Sequence, residues 1–412
     1  MIHRRRFLET AAGAAAASAL VPGAPAQAKT PPSDRIRIGI IGAGSRGREV
    51  MRTFLRVPGV AVTGICDVYE PRFAESRRIL GKEVPSHLDY RRLLEQRDLD
   101  AIVVATPLYL HEEHVMASLD SGRHVFGEKD MAMTVPQCDN IIRAVRRTGK
   151  KYQVGLQYHY APWYVEGLKR VKDGKLGKVT HVFCYWHRNH DWRRPVPNPK
   201  DQKLERLINW RLYREYSGGL MAELGSHHLH YAARILGGMP ESVTGVGGIV
   251  HWKDGRTVPD TVQVIFQYPN QSVLTFSSIT TNHFEGAHIM VYGTGGTIRL
   301  THAGGRYNYQ PKRAGEAQPE DGQRVQTGLI TGPSYRAEMP YEGPAEEFDI
   351  PEGDSGSATL LCCRSFVDCL RNDRRPQVDE VVGRESGAMV ALANLAIETG
   401  ARVRFADHVK PV

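Results

Sequence analysis

The sequence predicts two domains: an α/β unit built on a doubly wound parallel sheet, then an α+β unit with a large, mostly antiparallel open sheet. Three observations carry this. Short β-branched runs alternate with helix-spaced segments over residues 35–157. The first run ends in Gly42-x-Gly44-x-x-Gly47, which opens a helix. After residue 158 the strands lengthen and the helices between them thin out, as in antiparallel sheets.

In order, residues 35–41 form a buried strand that stops at the glycine turn, and 45–57 carry helical spacing. Residues 60–66 form the second strand, ending at Asp67, and 70–80 a helix. Strand 100–105 stops at Thr106-Pro107, helix 111–121 is ended by Gly122, and strand 124–126 runs into Glu128-Lys129. Helix 135–147 and strand 151–156 complete the first unit, 29–157. The second, 158–412, holds predicted strands at 179–186, 243–248, 261–268, 272–278, 288–292 and 296–300. A helix over 221–236 precedes most of these strands. Residues 303–357, rich in Gly, Pro and charge, read as a long loop or arm, and closing helices are expected within 359–400.

Residues 1–28 read as an export signal. Arg4-Arg5-Arg6-Phe7-Leu8 matches a twin-arginine start, 7–20 are apolar and alanine-rich, and Ala26-Gln27-Ala28 fits the small-x-small cleavage rule. The expectation is an exported or periplasmic protein, delivered folded by the twin-arginine machinery and starting at Lys29. No later stretch is apolar enough for stable membrane insertion. The chain carries a formal charge of +9; the signal holds three arginines and one glutamate, so +7 remains after its removal. The basic residues are scattered and not interleaved with aromatics, which argues against nucleic acid. Six cysteines show no metal spacing, and folding before export favours buried free thiols over disulfides.

In the glycine motif, Gly42 permits a tight turn, Gly44 lets backbone approach a pyrophosphate, and Gly47 allows close helix–strand packing. The N–H groups of Ser45, Arg46 and Gly47 open the helix towards phosphate oxygens. Asp67, at the next strand end, should accept from the adenosine ribose hydroxyls, favouring NAD over NADP; Arg72 could soften that preference. This is a dinucleotide-binding, or Rossmann, unit.

Thr106-Pro107-x-x-x-His111, Glu128-Lys129 and Gly218-Gly219-Leu-Met-Ala-Glu223-Leu-Gly225-Ser-His227 together resemble the Gfo/Idh/MocA oxidoreductases. Ile298 and Pro376-x-x-Asp379 also fit, so the likeness runs from about residue 35 to the C-terminus. It implies that Thr106, Pro107, His111, Glu128 and Lys129 belong to the cofactor site. It also implies that Lys129 lies beside the nicotinamide and the reacting carbon, that His227 is the acid/base partner, and that Glu223 occupies the family's acidic position. Two departures stand out: Asp130 follows the lysine where the family usually has proline, and His230 replaces a frequent acid. The family usually pairs through the open sheet, so a homodimer or homotetramer is expected.

Glu223 and His227, four apart on a predicted helix, should share a face, which would let the carboxylate orient or tune the imidazole. Oxidation of a secondary alcohol needs a base, a hydride acceptor and help for the developing oxyanion. His227, NAD⁺ and Lys129 can fill these roles; alternatively Lys129 is the base and His227 orients substrate. Gln157 is a candidate contact to nicotinamide or substrate. Tyr160, Trp163, Trp210, Arg211, Tyr213 and His230 are candidates for a carbohydrate site, where aromatic faces stack on sugar rings; Tyr158, Trp186, Trp192, Arg188 and Arg193 flank it. A metal held by Glu223, His227 and His230 is an alternative, but hydride transfer needs none. The leading expectation is an exported NAD-dependent sugar or glycoside dehydrogenase with tightly held cofactor. A glycoside hydrolase working by transient oxidation, similar to family 109, and a non-catalytic sugar-binding protein are the alternatives.

Overall fold

The structure, a computed structural model, describes residues 35–310, 344–350 and 352–412. The expected signal, 1–28, and most of the expected arm lie outside the described residues.

The first unit runs β1 Ile36–Ile41, α1 Ser45–Leu55, β2 Val60–Cys66, α2 Pro71–Leu80, β3 Ser86–His87, α3 Tyr90–Leu94, β4 Ala101–Val104, α4 His111–Asp120, β5 His124–Gly127, α5 Val135–Thr148 and β6 Tyr152–Val154. Its strands form one parallel sheet in the order β3-β2-β1-β4-β5-β6. The order reverses between β1 and β4, so the crevice beyond their carboxyl ends is the place for a ligand. Ile38, Ile40, Ile102 and Val103 are fully buried, as strands covered on both faces require. Helix α5 is held at its start by a capping box between Thr134 and Gln137 and is closed by left-handed Gly149.

The second unit adds α6 Pro162–Lys172, β7 Val179–His187, α7 Gln202–Ile208, α8 Ser226–Leu236, β8 Ser242–Gly248, β9 Thr261–Gln267, β10 Val273–Ile279, β11 Ala287–Gly293, β12 Gly296–Thr301, β13 Gly304–Tyr309 and β14 Ala345–Asp349. It closes with α9 Ala358–Arg371, α10 Glu380–Thr399, β15 Val403–Arg404 and α11 Phe405–His408. The nine-stranded sheet is ordered β14-β13-β12-β11-β7-β10-β9-β8-β15, antiparallel except where β7 runs parallel to β10. On β9, Val262, Val264 and Phe266 point into the core while Gln263 and Ile265 face outwards, the period-2 pattern of a sheet covered on one side. The nearly all-buried α8 fills the space between this sheet and α10.

Two expectations need correction. Within 303–357, residues 304–309 and 345–349 are not loop: they pair as β13 and β14 and extend the sheet edge. Glycines and charges hid them, because Gly304 and Gly305 lie where a Cβ would strike the Phe348 backbone and ring. The predicted helix 221–236 is interrupted: Met221–Gly225 is a π-helical turn and α8 proper begins at Ser226. The C-terminal helices also reach back to the first unit. Phe366 of α9 meets Phe54 and Phe126 edge-on at 6.2 and 5.7 Å, and α10 packs on α5. All six cysteines are free and buried.

Candidate active site

The glycine loop is shaped by what it excludes. Gly42 has φ +95, and a Cβ there would lie 2.7 Å from the Ala105 backbone. A Cβ on Gly47 would sit 1.8 Å from the Gly42 carbonyl oxygen, so α1 could not approach β1 so closely with any side chain there. At Gly44, by contrast, only Arg72 comes near, at 3.9 Å, leaving open space above the start of α1. That start has no side-chain cap and no acid in its first turn, so its N–H groups are free for an anion. The loop forms one wall of a chamber of ≈ 390 Å³ with Asp67, Thr106 and Pro107. These residues fit a dinucleotide: a bare backbone cradle at a helix N-terminus, with an acid at the end of β2.

Asp67 is more heavily engaged than expected. Its Oδ2 accepts from the Ala43 N–H at 2.7 Å, its Oδ1 from the Tyr69 N–H at 2.8 Å, and Arg72 Nη1 donates to both oxygens at 3.0 Å. A carboxylate has about four acceptor sites, so a ribose hydroxyl must share them with Arg72. Arg46 ties α1 to the neighbouring strand ends, donating through Nε to Glu128 and through Nη2 to Gln157, each at 2.9 Å.

A second chamber, ≈ 570 Å³, adjoins the first, and the two share Arg46, Ala105, Thr106, Arg194, Trp210 and Arg211 in their walls. Lys129, Glu223 and His227 line it together. Lys129 Nζ donates to the carbonyls of Ala222 and Glu223 at 3.0 and 2.8 Å, inside the π-helical turn. Burial pushes the lysine pKa down, against the pull of Glu223, Glu128 and Asp130. Burial would raise the Glu223 carboxyl, but Arg211 and Lys129 more than reverse this and hold it below the ordinary carboxylate range.

The expected Glu223–His227 partnership is not formed. Glu223 Oε2 accepts instead from Arg211 Nε at 2.8 Å, because the wide turn inserts a residue between them and breaks the i, i+4 register. His227 is bounded by rings: Tyr158 at 4.4 Å and Trp186 at 5.9 Å between centroids. Its Nδ1 is buried with no hydrogen-bond partner. Burial, then Lys129, hold its pKa well below the usual histidine value, so the imidazole is neutral near pH 7.

His111 is buried, its Nδ1 2.7 Å from the Asp130 carbonyl and its Nε2 3.0 Å from that of Thr106, pinning the strand end that carries Lys129. The Lys129–Asp130 peptide is cis. Asp130 is itself buried; its Oδ1 accepts from the Met131 N–H, and its Oδ2 lacks a hydrogen-bond partner.

Of the substrate candidates, Trp210 and Arg211 line both chambers, with the guanidinium 4.2 Å from the indole centroid. Four others lie outside both linings. Tyr160 packs against the first unit's core beneath α9. Trp163 is core, edge-on to Tyr158 at 5.5 Å. Tyr213 bonds Glu205 through its hydroxyl. His230 meets His159 at 3.1 Å and lies stacked with Tyr164. Sequence proximity to the site gave no side-chain direction for these. Glu223 and His230 thus point to different partners, and among the described residues no group of three or more His, Cys, Asp or Glu side chains could hold a metal ion.

Arg194 was not singled out from sequence. It reaches from the 188–200 segment to Ser45 Oγ, donating at 3.0 Å. Trp192, in the same segment and lining the second chamber, has φ 63, a left-handed backbone rarely adopted by bulky residues. Nothing periodic marks this segment, so only its density of Arg and Trp offered a signal.

The fold and paired chambers define a two-domain, dinucleotide-binding protein. Residues 36–156 match the oxidoreductase family with an NAD-binding Rossmann fold, and 165–299 match the GFO/IDH/MocA C-terminal domain. The chain belongs to the Gfo/Idh/MocA oxidoreductases, and its cofactor is NAD. It is 28% identical over 269 residues to a 2,7-anhydro-N-acetylneuraminate hydratase of Mediterraneibacter gnavus, covering 63% of this chain and 66% of that one. An α-N-acetylgalactosaminidase of Shewanella oneidensis is 27% identical over 238 residues, 52% of this chain and 50% of the relative. The chain thus spans about two thirds of the first relative and half of the second. In fold it is similar to the aldose–aldose oxidoreductase of Caulobacter crescentus, at 20% identity, TM-score 0.69, and coverage of 90% of this chain and 99% of that one.

Proposed function

We propose that the protein is an exported, NAD-dependent oxidoreductase that acts on a secondary hydroxyl of a sugar or glycoside and keeps its cofactor tightly bound. The observation that carries this reading is that Lys129 and His227 line one chamber, which shares a wall with the dinucleotide chamber. His227, neutral near pH 7 because it is buried, accepts the hydroxyl proton at Nε2. Lys129, held by two carbonyls, offers its positive charge to the developing oxyanion. Bound NAD⁺ would take the hydride from the carbinol carbon, and a second carbonyl substrate, such as an aldose, would take it back before the next turnover. Tyr158 and Trp210 present ring faces to a sugar, and Glu223 holds Arg211 against Trp210.

A second reading is favoured by the galactosaminidase and family 109 relatives: a glycoside is oxidised, loses its aglycone by elimination, adds water across the resulting double bond and is reduced again, with no net redox change. Lys129 and His227 would serve the same proton steps.

The twin-arginine reading of residues 1–28 supports export, and pairing of two or four copies through the open sheet, where Ile265 and Tyr292 are exposed, is part of the same proposal. Fractionation of cells and light scattering of the purified protein test these two points.

The decisive experiment heat-denatures protein purified from its exported form without added nucleotide and quantifies what is released. Near one NAD(H) per chain is expected, after which sugars are screened at the reduced-nicotinamide band and glycosides for aglycone release. Absence of nucleotide, with no binding on adding NAD⁺ back, overturns the captive-cofactor reading.

A further inference from the structure

Charge in the second chamber is unbalanced, and the imbalance has one address. Its lining holds two carboxylates, Glu128 and Glu223, and both are already committed, to Arg46 at 2.9 Å and Arg211 at 2.8 Å. Arg193 is neutralised from behind by Glu205 and Asp254. Arg194 stands at the wall shared with the dinucleotide chamber, on Ser45 beside the start of α1, where a diphosphate is the natural counter-charge. That leaves Arg188. It lines the second chamber but not the first, and no carboxylate among the described residues bonds it.

The backbone of Arg188 is tied to the sheet, and its side chain is exposed to the cleft. Its backbone N–H donates to the Ile279 carbonyl at 2.9 Å, and Asn189 bridges to Thr281, so it continues the C-terminal end of β7 alongside β10. Its guanidinium lies over the Trp186 ring at 5.5 Å. Trp186 is buried, stacks on Tyr158 at 6.1 Å, and lies 5.9 Å from the His227 ring. The unpaired guanidinium and the imidazole are therefore separated by the buried Trp186 and the partly buried Tyr158, and Tyr158 offers the ring face for a sugar. A guanidinium presents parallel N–H groups that match a carboxylate in a bidentate pair. The same fork also fits phosphate, but the one unpaired charge at this end of the chamber matches a monoanion.

We propose that the substrate is an acidic carbohydrate and that Arg188 takes its carboxylate, placing a ring hydroxyl at His227. This deepens the carbohydrate reading given above and rests on it.

The test uses the full NAD(H)-loaded protein and three acid/neutral pairs: D-glucuronate with D-glucose, D-galacturonate with D-galactose, and N-acetylneuraminate with its methyl ester. D-glucose 6-phosphate is the phosphate control. Binding is measured by calorimetry or saturation-transfer NMR at low and high salt. At least one acid should bind about tenfold or more tightly than its neutral partner, and this preference should shrink at high salt. Arg188→Gln should abolish the ratio while the variant keeps its nucleotide and melting temperature; Arg188→Lys should keep part of it. No acid preference in any pair, an unchanged ratio in Arg188→Gln, or tighter binding of the phosphate than of any acid overturns the proposal. If Arg188→Gln does not fold, the Arg188→Lys ratio and the salt response decide. Reduced-nicotinamide absorbance is read in the same samples: acid binding without any redox or aglycone signal refutes the enzymatic reading and leaves the acidic ligand standing.

Discussion

Arg211 Nε donates to Glu223 Oε2 at 2.8 Å, and this contact turns the carboxylate away from His227 one turn further along. Glu223 therefore anchors Arg211 and leaves the imidazole untuned. Replacing Glu223 with Gln removes the ion pair, and because Arg211 is only partly buried the expected loss is about 1–3 kcal/mol of stability, read as a lower melting temperature. Substrate KM should rise through loss of Arg211 order. The acid limb of kcat/KM should stay where it is; a displacement of more than about half a pH unit would restore Glu223 as the tuner of His227.

Lys129 predicts the basic limb. Burial lowers its pKa below the ordinary 10.5, so its charge disappears as pH rises through a value under that range. If its charge steadies the oxyanion, activity falls there. Lys129→Arg keeps a charge at all accessible pH, so the basic limb should vanish, with kcat reduced by about 10²–10³-fold from misplaced geometry. A pH–rate profile that instead climbs through the lysine pKa in the native enzyme makes Lys129 the base.

What could be read from sequence divides by the range of the constraint. The glycine loop, the acid at the end of β2 and the buried strands were legible because each obeys a local rule: a positive φ at Gly42, a close approach at Gly47, unbroken apolar runs. Direction of side chains in irregular segments was not. In the 157–160 turn Gln157 and Tyr158 face the cleft while Tyr160 turns under α9. The π-helical turn at 221–225, two of whose carbonyls accept from Lys129, cannot be revealed by a regular 3.6-residue period. The edge strands β13 and β14 escaped for a related reason: Gly304 and Gly305 give β13 no side-chain pattern, and Phe348 of the partner strand fills the space they leave.

Arg194 makes a testable claim on cofactor retention. It has no carboxylate partner among the described residues, and it crosses from the second unit to Ser45 at the glycine loop. Its charge should add to the affinity for the diphosphate as a charge-assisted contact, so Arg194→Ala should weaken NAD(H) binding by about tenfold to a hundredfold. Titration of nucleotide-free protein, followed by tryptophan fluorescence, reads this without turnover. The variant should also lose part of the salt sensitivity of binding. Equal affinities for variant and native protein would confine Arg194 to a structural contact with Ser45.

Asp130 carries a pH signature in stability. Burial pushes its carboxyl up to about 7, against Lys129 and the Met131 N–H, which favour the charged form. A carboxyl whose folded pKa lies above its unfolded value of 3.8 binds a proton more tightly in the native state. Its contribution is present below the unfolded pKa and is lost as pH rises from about 4 through about 7. The loss is on the order of 4 kcal/mol at most, since each tenfold gain in proton affinity is worth about 1.4 kcal/mol, and it is reduced by coupling to Lys129. Asp130→Asn keeps the shape and an acceptor for the Met131 N–H but cannot ionise. It should flatten the stability profile over that window and be more stable than the native protein above pH 7, while Lys129 loses a nearby negative charge and its pKa falls further. Denaturant midpoints measured at pH 4, 5.5, 7 and 8 decide it. Parallel native and variant curves across this range would mean that Asp130 is ionised throughout and that its charge is fully balanced by Lys129.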